Sequence, residues 1–299
     1  MSDAGWLPCS DRSLERGDPL SGTAGFGTRW FLVEIDGAWG THAILQSALD
    51  PAVARALVTR VEAAGMRPLA IRRTGRRADE RRGQSTWRWA VVDARAGSES
   101  VVWGAVHDPA ELLEVPLDGS TGISSDESVI CVCTHARHDQ CCAVKGRPVV
   151  AALARALPRN TWECSHLGGD RFAATMIVFP HGLHFGRMPA AAAVGIVQAY
   201  VAGAIDPRYF RGRSSVPNLV QAAEAFARAT TGDDRVGSFP HGTVRAGDET
   251  GRWSVAFDHD GAPLTVEVAQ RMSEPLLSTC GATVAAAVRE FALVEVRER

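Results

Sequence analysis

The sequence predicts an α/β protein: two consecutive α/β units, the first smaller than the second, followed by a C-terminal α+β extension. Three observations carry that expectation. Short apolar runs rich in Val, Ile, Phe and Trp alternate with segments whose apolar residues recur at helical spacing. A stretch of Pro, Gly, Ser, Thr and Asp at residues 116–127 separates the first such series from the second. At 299 residues, with 45% hydrophobic and 22% charged residues, the chain holds enough apolar material for more than one core.

In chain order, residues 1–28 are rich in Gly, Ser and Asp and are expected to wrap the first unit as an irregular arm. Trp30 to Ile35 reads as a buried strand, and Pro51 to Ala64 as a helix with Val53, Ala56, Leu57, Val61 and Ala64 on one stripe. Strands are expected over Met66–Arg73, Trp87–Val92 and Val101–Val106, then a short helix near Pro109 to Leu113. Between two of these strands, Arg72 to Arg82 forms a basic, Gly-containing stretch that reads as a solvated loop, with a docking patch as its alternative.

Beyond the linker, Ser128–Cys133 is a strand, Arg147–Leu157 a helix closed by Pro158, and Ala173–Phe179 with Leu183–Arg187 a hairpin. Pro189–Ala202 is the next helix. This β-α-β-β-α order is that of a thioredoxin-like half-sandwich, and the β-α-β-β-β order before it makes the first unit a candidate relative of the same fold. The tail opens on a helix, Pro217–Thr230, and continues in strand-like runs such as Trp253–Phe257 and Leu264–Val268. The expected domains are therefore 1–118, 119–214 and 215–299.

A formal net charge of −2 argues against a general binder of nucleic acid or membrane surfaces. No stretch approaches the roughly 18 apolar residues of a membrane span, and no apolar or amphipathic leader opens the chain. A cytoplasmic protein is expected, where structural disulfides are rare. The seven cysteines are an odd number and strongly clustered, which fits cofactor ligation or redox chemistry better than a disulfide scaffold.

Cys131, Cys133, Cys141, Cys142 and Cys164 fall within one short part of the chain, with His135, His138 and His166 among or beside them. Cys133-Thr-His-Ala-Arg-His-Asp-Gln-Cys-Cys142 follows a strand, the place where α/β folds put ligand loops. The segment Cys164-Ser-His-Leu-Gly-Gly-Asp170 comes far enough on for one helix and one strand to return it beside that loop. Thiolates and imidazoles offered from two segments are what an iron–sulfur or zinc site requires. Gly168 and Gly169 are expected to let backbone N–H groups come close to a cofactor.

These two segments, with Pro19-Leu-Ser-Gly-Thr-Ala24 and Trp30-Phe-Leu-Val-Glu34 upstream, resemble the sucrase/ferredoxin-like family from about residue 9 to residue 215. The resemblance implies a thioredoxin-like ferredoxin that carries one 2Fe-2S cluster and transfers electrons. In that family two cysteines of the first loop hold one iron, and two histidines of a His-x-Gly-Gly-His segment hold the other. Carried over, Cys133, Cys142 and His166 match, whereas Asp170 stands where the second histidine belongs. Two assignments stay open for the fourth ligand. Asp170 offers an oxygen, while Cys164 offers a third thiolate on the same side of an extended segment as His166. Thiolate is the better match to cluster iron and tips the balance slightly to Cys164.

The remaining candidates have ordinary readings. Cys131 faces the core, Cys9 and Cys280 stand alone as buried residues, and His135 and His138 order the loop rather than ligate. Cys141 is the alternative to Cys142. Two rival functions follow from the same residues: a structural or regulatory zinc protein, and a thioredoxin-like thiol oxidoreductase, weakened by the lack of a Cys-x-x-Cys at the helix start. The implied partner is an unidentified redox reductase or acceptor protein.

Overall fold

A computed structural model describes residues 7–74 and 85–298. Within the N-terminal arm, α1 (Cys9–Glu15) forms a two-turn helix. The first unit then runs β1 (Arg29–Glu34), α2 (Pro51–Ala63), β2 (Arg67–Arg72), β3 (Trp87–Asp93) and β4 (Ser100–Val106). Asp50 starts α2 by accepting the Ala52 and Val53 backbone N–H groups, with Pro51 in the first turn, where its missing N–H costs nothing. A two-residue strand, β5 (Ile123–Ser124), lies in the linker. The second unit is β6 (Val129–Cys133), α3 (Gln140–Ala156), β7 (Thr161–Cys164), β8 (Met176–Phe179), β9 (Leu183–Phe185), α4 (Ala190–Val201) and β10 (Phe210–Arg213).

Both units repeat one topology. The first orders its strands β2-β1-β3-β4 and the second β7-β6-β8-β9, each with its first two strands parallel and the next two antiparallel. This is the thioredoxin-like arrangement, present twice. The two copies meet edge to edge: β2 pairs antiparallel with β7 through Ile71↔Cys164 and Arg72↔Glu163, which makes one ten-stranded sheet. Because side chains alternate along a strand, that register aligns the faces of the two copies. One face carries α2 over Phe31, Val33 and Ala70, and α3 and α4 over Ile130, Val132 and Val178. The other face carries a core shared by both copies, including Trp30, Ile71, Cys131, Cys133, Trp162 and Cys164.

The extension contributes α5 (Asn218–Thr231) and a second, antiparallel sheet of β11 (Thr243–Ala246), β12 (Arg252–His259), β13 (Ala262–Met272) and β14 (Arg289–Glu298). Val220, Ala223 and Ala227 of α5 pack on Val255, Phe257 and Val266 of that sheet. Gln221 is buried and accepts the Ala24 N–H, so the extension also grips the arm.

Three expectations change. Of the described arm only residues 26–28 hydrogen-bond to the first unit, at Arg67, Trp30 and Ala94; α1 packs against the Asp170–Phe172 turn of the second, and Thr23 and Ala24 meet Arg211 and Gln221. The helix expected from Arg147 begins seven residues earlier, at Gln140, because Asp139 caps it at the Cys141 N–H and Pro148 is tolerated inside it. Of the basic stretch, residues 75–82 lie outside the described residues. Arg72 pairs with Glu163 at 2.7 Å, and Arg73 stacks over Trp162 and donates to three carbonyls. No helix among the described residues is long and apolar enough to cross a membrane.

His184 on β9 is fully buried, and among the described residues neither ring nitrogen has a hydrogen-bond partner. Burial, aided by Arg211 and Arg67, holds its pKa well below the ordinary histidine value. The folded state therefore keeps His184 neutral while the unfolded chain takes up a proton below about pH 6.5. Its stabilisation is complete above that pH and is lost as pH falls, at a slope of up to about 1.4 kcal/mol per pH unit. Thermal melts between pH 7 and 5 are expected to show a smaller drop in Tm for His184→Leu than for the native chain.

Candidate metal centre

Cys133 is the last residue of β6, and Cys142 sits in the first turn of α3. The two are brought together by a close approach of helix to strand. A Cβ added at Gly146 would lie 2.2 Å from the Cys133 carbonyl oxygen, so only glycine lets α3 sit this low on the strand end. Adjacent helical residues diverge by about 100°. Cys142 accordingly turns to Cys133, while Cys141 points to a different part of the molecule, against Cys9 and Cys280.

The second segment leaves β7 at Cys164. Gly168 and Gly169 both adopt positive φ, +87° and +82°, and fold the chain so that Asp170 comes back over His166. The ligand atoms of Cys133, Cys142 and His166 lie within 4.8 Å of one another. Asp170 Oδ1 is 3.1 Å from Cys142 Sγ, which donates to it, and 3.1 Å from His166 Nδ1. That nitrogen is off the line of a hydrogen bond and is an unsatisfied buried atom among the described residues.

Of the five residues singled out from the sequence, these four lie side by side. Cys164 does not join them: it pairs with Cys133 across β6 and β7 in the same shared core, but its sulfur is not among the donor atoms that lie within 4.8 Å of one another, and burial pushes its thiol pKa well up. Cys131 is likewise in that core. His135 is buried, donates from Nε2 to the Gly40 carbonyl at 2.6 Å and meets Trp39 edge-on. His138 stacks on His166 with ring centroids 3.6 Å apart. Its Nε2 is 3.9 Å from Asp170 Oδ2.

The electrostatics favour a bound cation. Cys133 is held well below the ordinary thiol range, chiefly by the Cys142 S–H, then by His166 and the His135 N–H against the opposing effect of burial. The same sharing pushes Cys142 up. Burial opposes charge on His166, yet Asp170 and the Cys133 thiolate outweigh it and push the imidazole up to about 9. With no cation present, one proton on Cys142 and one on His166 hold the negative groups together. A metal ion would take the place of both.

Sequence reasoning missed Arg211. It is 1% exposed, donates from Nη1 to the Gly168 carbonyl at 3.0 Å and from Nε to Thr23 Oγ1 at 3.1 Å. A Cβ on Gly169 would come within 2.1 Å of its guanidinium. At this position glycine makes room for an arginine, where room for a cofactor was expected. Arg211 is a buried cation near Asp170, Cys142 and Cys133, and burial, then the neighbouring Arg171, lower its own pKa to about 10. On the opposite side the site opens through His138 and the His166 edge to a cleft of about 230 Å³, lined also by His42, Ile44 and Leu45.

With this geometry in hand, comparisons with known proteins can be placed. The model of the sucrase/ferredoxin-like family matches residues 20–212. Among solved structures, a cysteine-to-serine variant of the thioredoxin-like [2Fe-2S] ferredoxin from Aquifex aeolicus is similar at 16% identity and a TM-score of 0.25, over 28% of this chain and 97% of that one. A search of curated proteins finds no match.

Gly146→Ala tests the helix-on-strand contact. Overpacking of this kind costs about 1–3 kcal/mol, and here it separates Cys142 from Cys133. The expected result is a lower Tm together with loss of bound metal, measured by elemental analysis. Full metal content in the variant would show that the contact does not set the site.

Proposed function

The chain belongs to the sucrase/ferredoxin-like family, and from that premise we propose that Cys133, Cys142, His166 and Asp170 hold one 2Fe-2S cluster and that the protein is an electron carrier. The observation that carries the reading is the convergence of two buried thiols and an imidazole within 4.8 Å, with a carboxylate oxygen 3.1 Å from two of them. The donor set fits: two sulfurs suit one iron, and a nitrogen and an oxygen suit the other. When bound, such a cluster takes up and returns one electron at a time. Asp170 is preferred to Cys164 as fourth ligand because its Oδ1 lies 3.1 Å from both Cys142 Sγ and His166 Nδ1, whereas Cys164 Sγ is not among the converging donor atoms.

The chain's residues divide the remaining work. Cys133 and Cys142 anchor the buried side, and Gly146 sets their spacing. His166 is neutral where a thiolate would be negative and so raises the reduction potential, while the Asp170 carboxylate opposes that shift. Arg211 holds a fixed positive charge behind the site. His138 and His166 present the solvent-facing side, and a redox partner protein docks there, over the cleft with His42 and Leu45. The adjacent Cys141 and Cys142 face different neighbours, which disfavours a vicinal-dithiol oxidoreductase.

Anaerobically purified protein is expected to be red-brown, with iron and acid-labile sulfide near two each per chain, as a 2Fe-2S cluster requires. Cys133→Ser and Cys142→Ser are expected to lose both, Asp170→Ala to shift the visible spectrum or lose it, and Cys164→Ser to keep it. A colourless protein with zinc bound by Cys133 and Cys142 would overturn the reading. Loss of the spectrum in Cys164→Ser but not in Asp170→Ala would overturn the ligand set.

A second expectation concerns the imidazole, whose titrating proton sits on the nitrogen that does not ligate. Reduction adds negative charge and favours that proton, so the potential should fall as pH rises between about 6 and 9, by at most about 59 mV per pH unit. Protein-film voltammetry should show this slope in the native protein and a flat potential in His166→Cys.

A further inference from the structure

Three thiols from distant parts of the chain meet on the far side of the α3 start. Cys9 opens α1, Cys141 lies in the first turn of α3, and Cys280 lies between β13 and β14. Their sulfurs form a triangle with edges of 3.6 Å (Cys9–Cys141), 2.9 Å (Cys141–Cys280) and 3.5 Å (Cys9–Cys280). Asp139 faces the triangle, its Oδ2 3.9 Å from Cys9 Sγ and 2.7 Å from the Cys280 N–H, which it accepts. Cys9 and Cys141 are 1% exposed, and Ser10 Oγ donates to Cys141 Sγ at 3.4 Å.

From this geometry we propose that Cys9, Cys141 and Cys280, with Asp139 as the fourth ligand, bind a structural zinc ion. Zinc–sulfur bonds of about 2.3 Å in a tetrahedron place sulfurs about 3.8 Å apart. Two of the observed edges are close to that, and the third has to open by less than an ångström. Three thiolates and a carboxylate form a closed set of four, the coordination number of structural zinc. A disulfide would consume two of the sulfurs and leave the third, with Asp139, unused. Binding releases whatever protons the three sulfurs still hold and changes no oxidation state.

The ion would tie together α1, the start of α3 and the loop before β14, segments separated by 130 or more residues. Such a tie stabilises only the folded chain. It lies outside the family-matched residues at both ends, since Cys9 and Cys280 fall beyond 20–212. The proposal does not rest on the electron-carrier reading, because Cys141 and Cys142 belong to separate groups of donors.

The test is elemental analysis of the full chain purified without chelators. The expected result is about one zinc per chain, in addition to whatever iron is present. In Cys9→Ser/Cys280→Ser, zinc should fall to background while iron content and visible spectrum persist; in Cys133→Ser the opposite should hold. Circular dichroism and gel filtration verify folding, and Cys280→Ser alone, at a partly exposed loop position, gives a milder variant. Zinc alone, added to chelator-treated native chain, should rebind and raise Tm. No zinc on isolation and none taken up would overturn the proposal. So would zinc retained in the double variant, zinc lost from Cys133→Ser, iron in place of zinc at this site, or a Cys141–Cys280 disulfide in anaerobic protein under non-reducing mass spectrometry.

Discussion

The candidate metal centre depends on the seam where β2 meets β7. The pairing is short, Ile71 with Cys164 and Arg72 with Glu163, yet it fixes which way both units face. A slip of one residue would turn the shared core outward in one of them. The seam continues past the strands. Ser165 N–H donates to the Ala70 carbonyl and Ser165 Oγ accepts the Ala70 N–H, while His135 reaches the Gly40 carbonyl. Glu163 takes both Arg72 and the Thr134 hydroxyl. The first unit thus serves as a wall against which the ligand loops of the second are set.

That wall explains how a polar cluster survives in a buried place. Cys133, Asp170, His166 and Arg211 would each be costly alone in a low-dielectric interior. Together they compensate one another, and Cys133 and Arg211 are held by backbone groups as well as by charge. Arg211 is fixed by the Thr23 and Gly168 carbonyls, and Gly169 gives it room. The ten-stranded sheet is closed off by a two-residue strand at one end and a four-residue strand at the other. Short edges leave little for another chain to pair with.

Much of this was legible in the sequence because it is local. Short apolar runs marked the strands around Trp30, Trp87 and Cys131, and Pro51 marked a helix start. The two ligand segments were visible as motifs, and Cys133, Cys142, His166 and Asp170 do lie side by side. What could not be read was non-local. Cys9 and Cys280 looked solitary because their neighbours are more than a hundred residues away in the chain. That Asp170 rather than Cys164 comes beside Cys142 and His166 depends on a paired positive-φ turn, which spacing alone does not reveal. Pro148 hid the true start of α3, since a proline ordinarily marks a helix boundary. Arg211 carried no local signal beyond the Gly-Gly pair, whose space it fills.

The first turn of α3 has one more consequence. A helix presents its unpaired N–H groups and the positive end of its dipole at its start, and the effect fades within a turn. Here that single turn faces two separate cysteine clusters, through Cys141 and Cys142. Both draw on the same small reserve of positive potential. Charge gained or lost on one side changes what the other experiences, without any atom having to move between them.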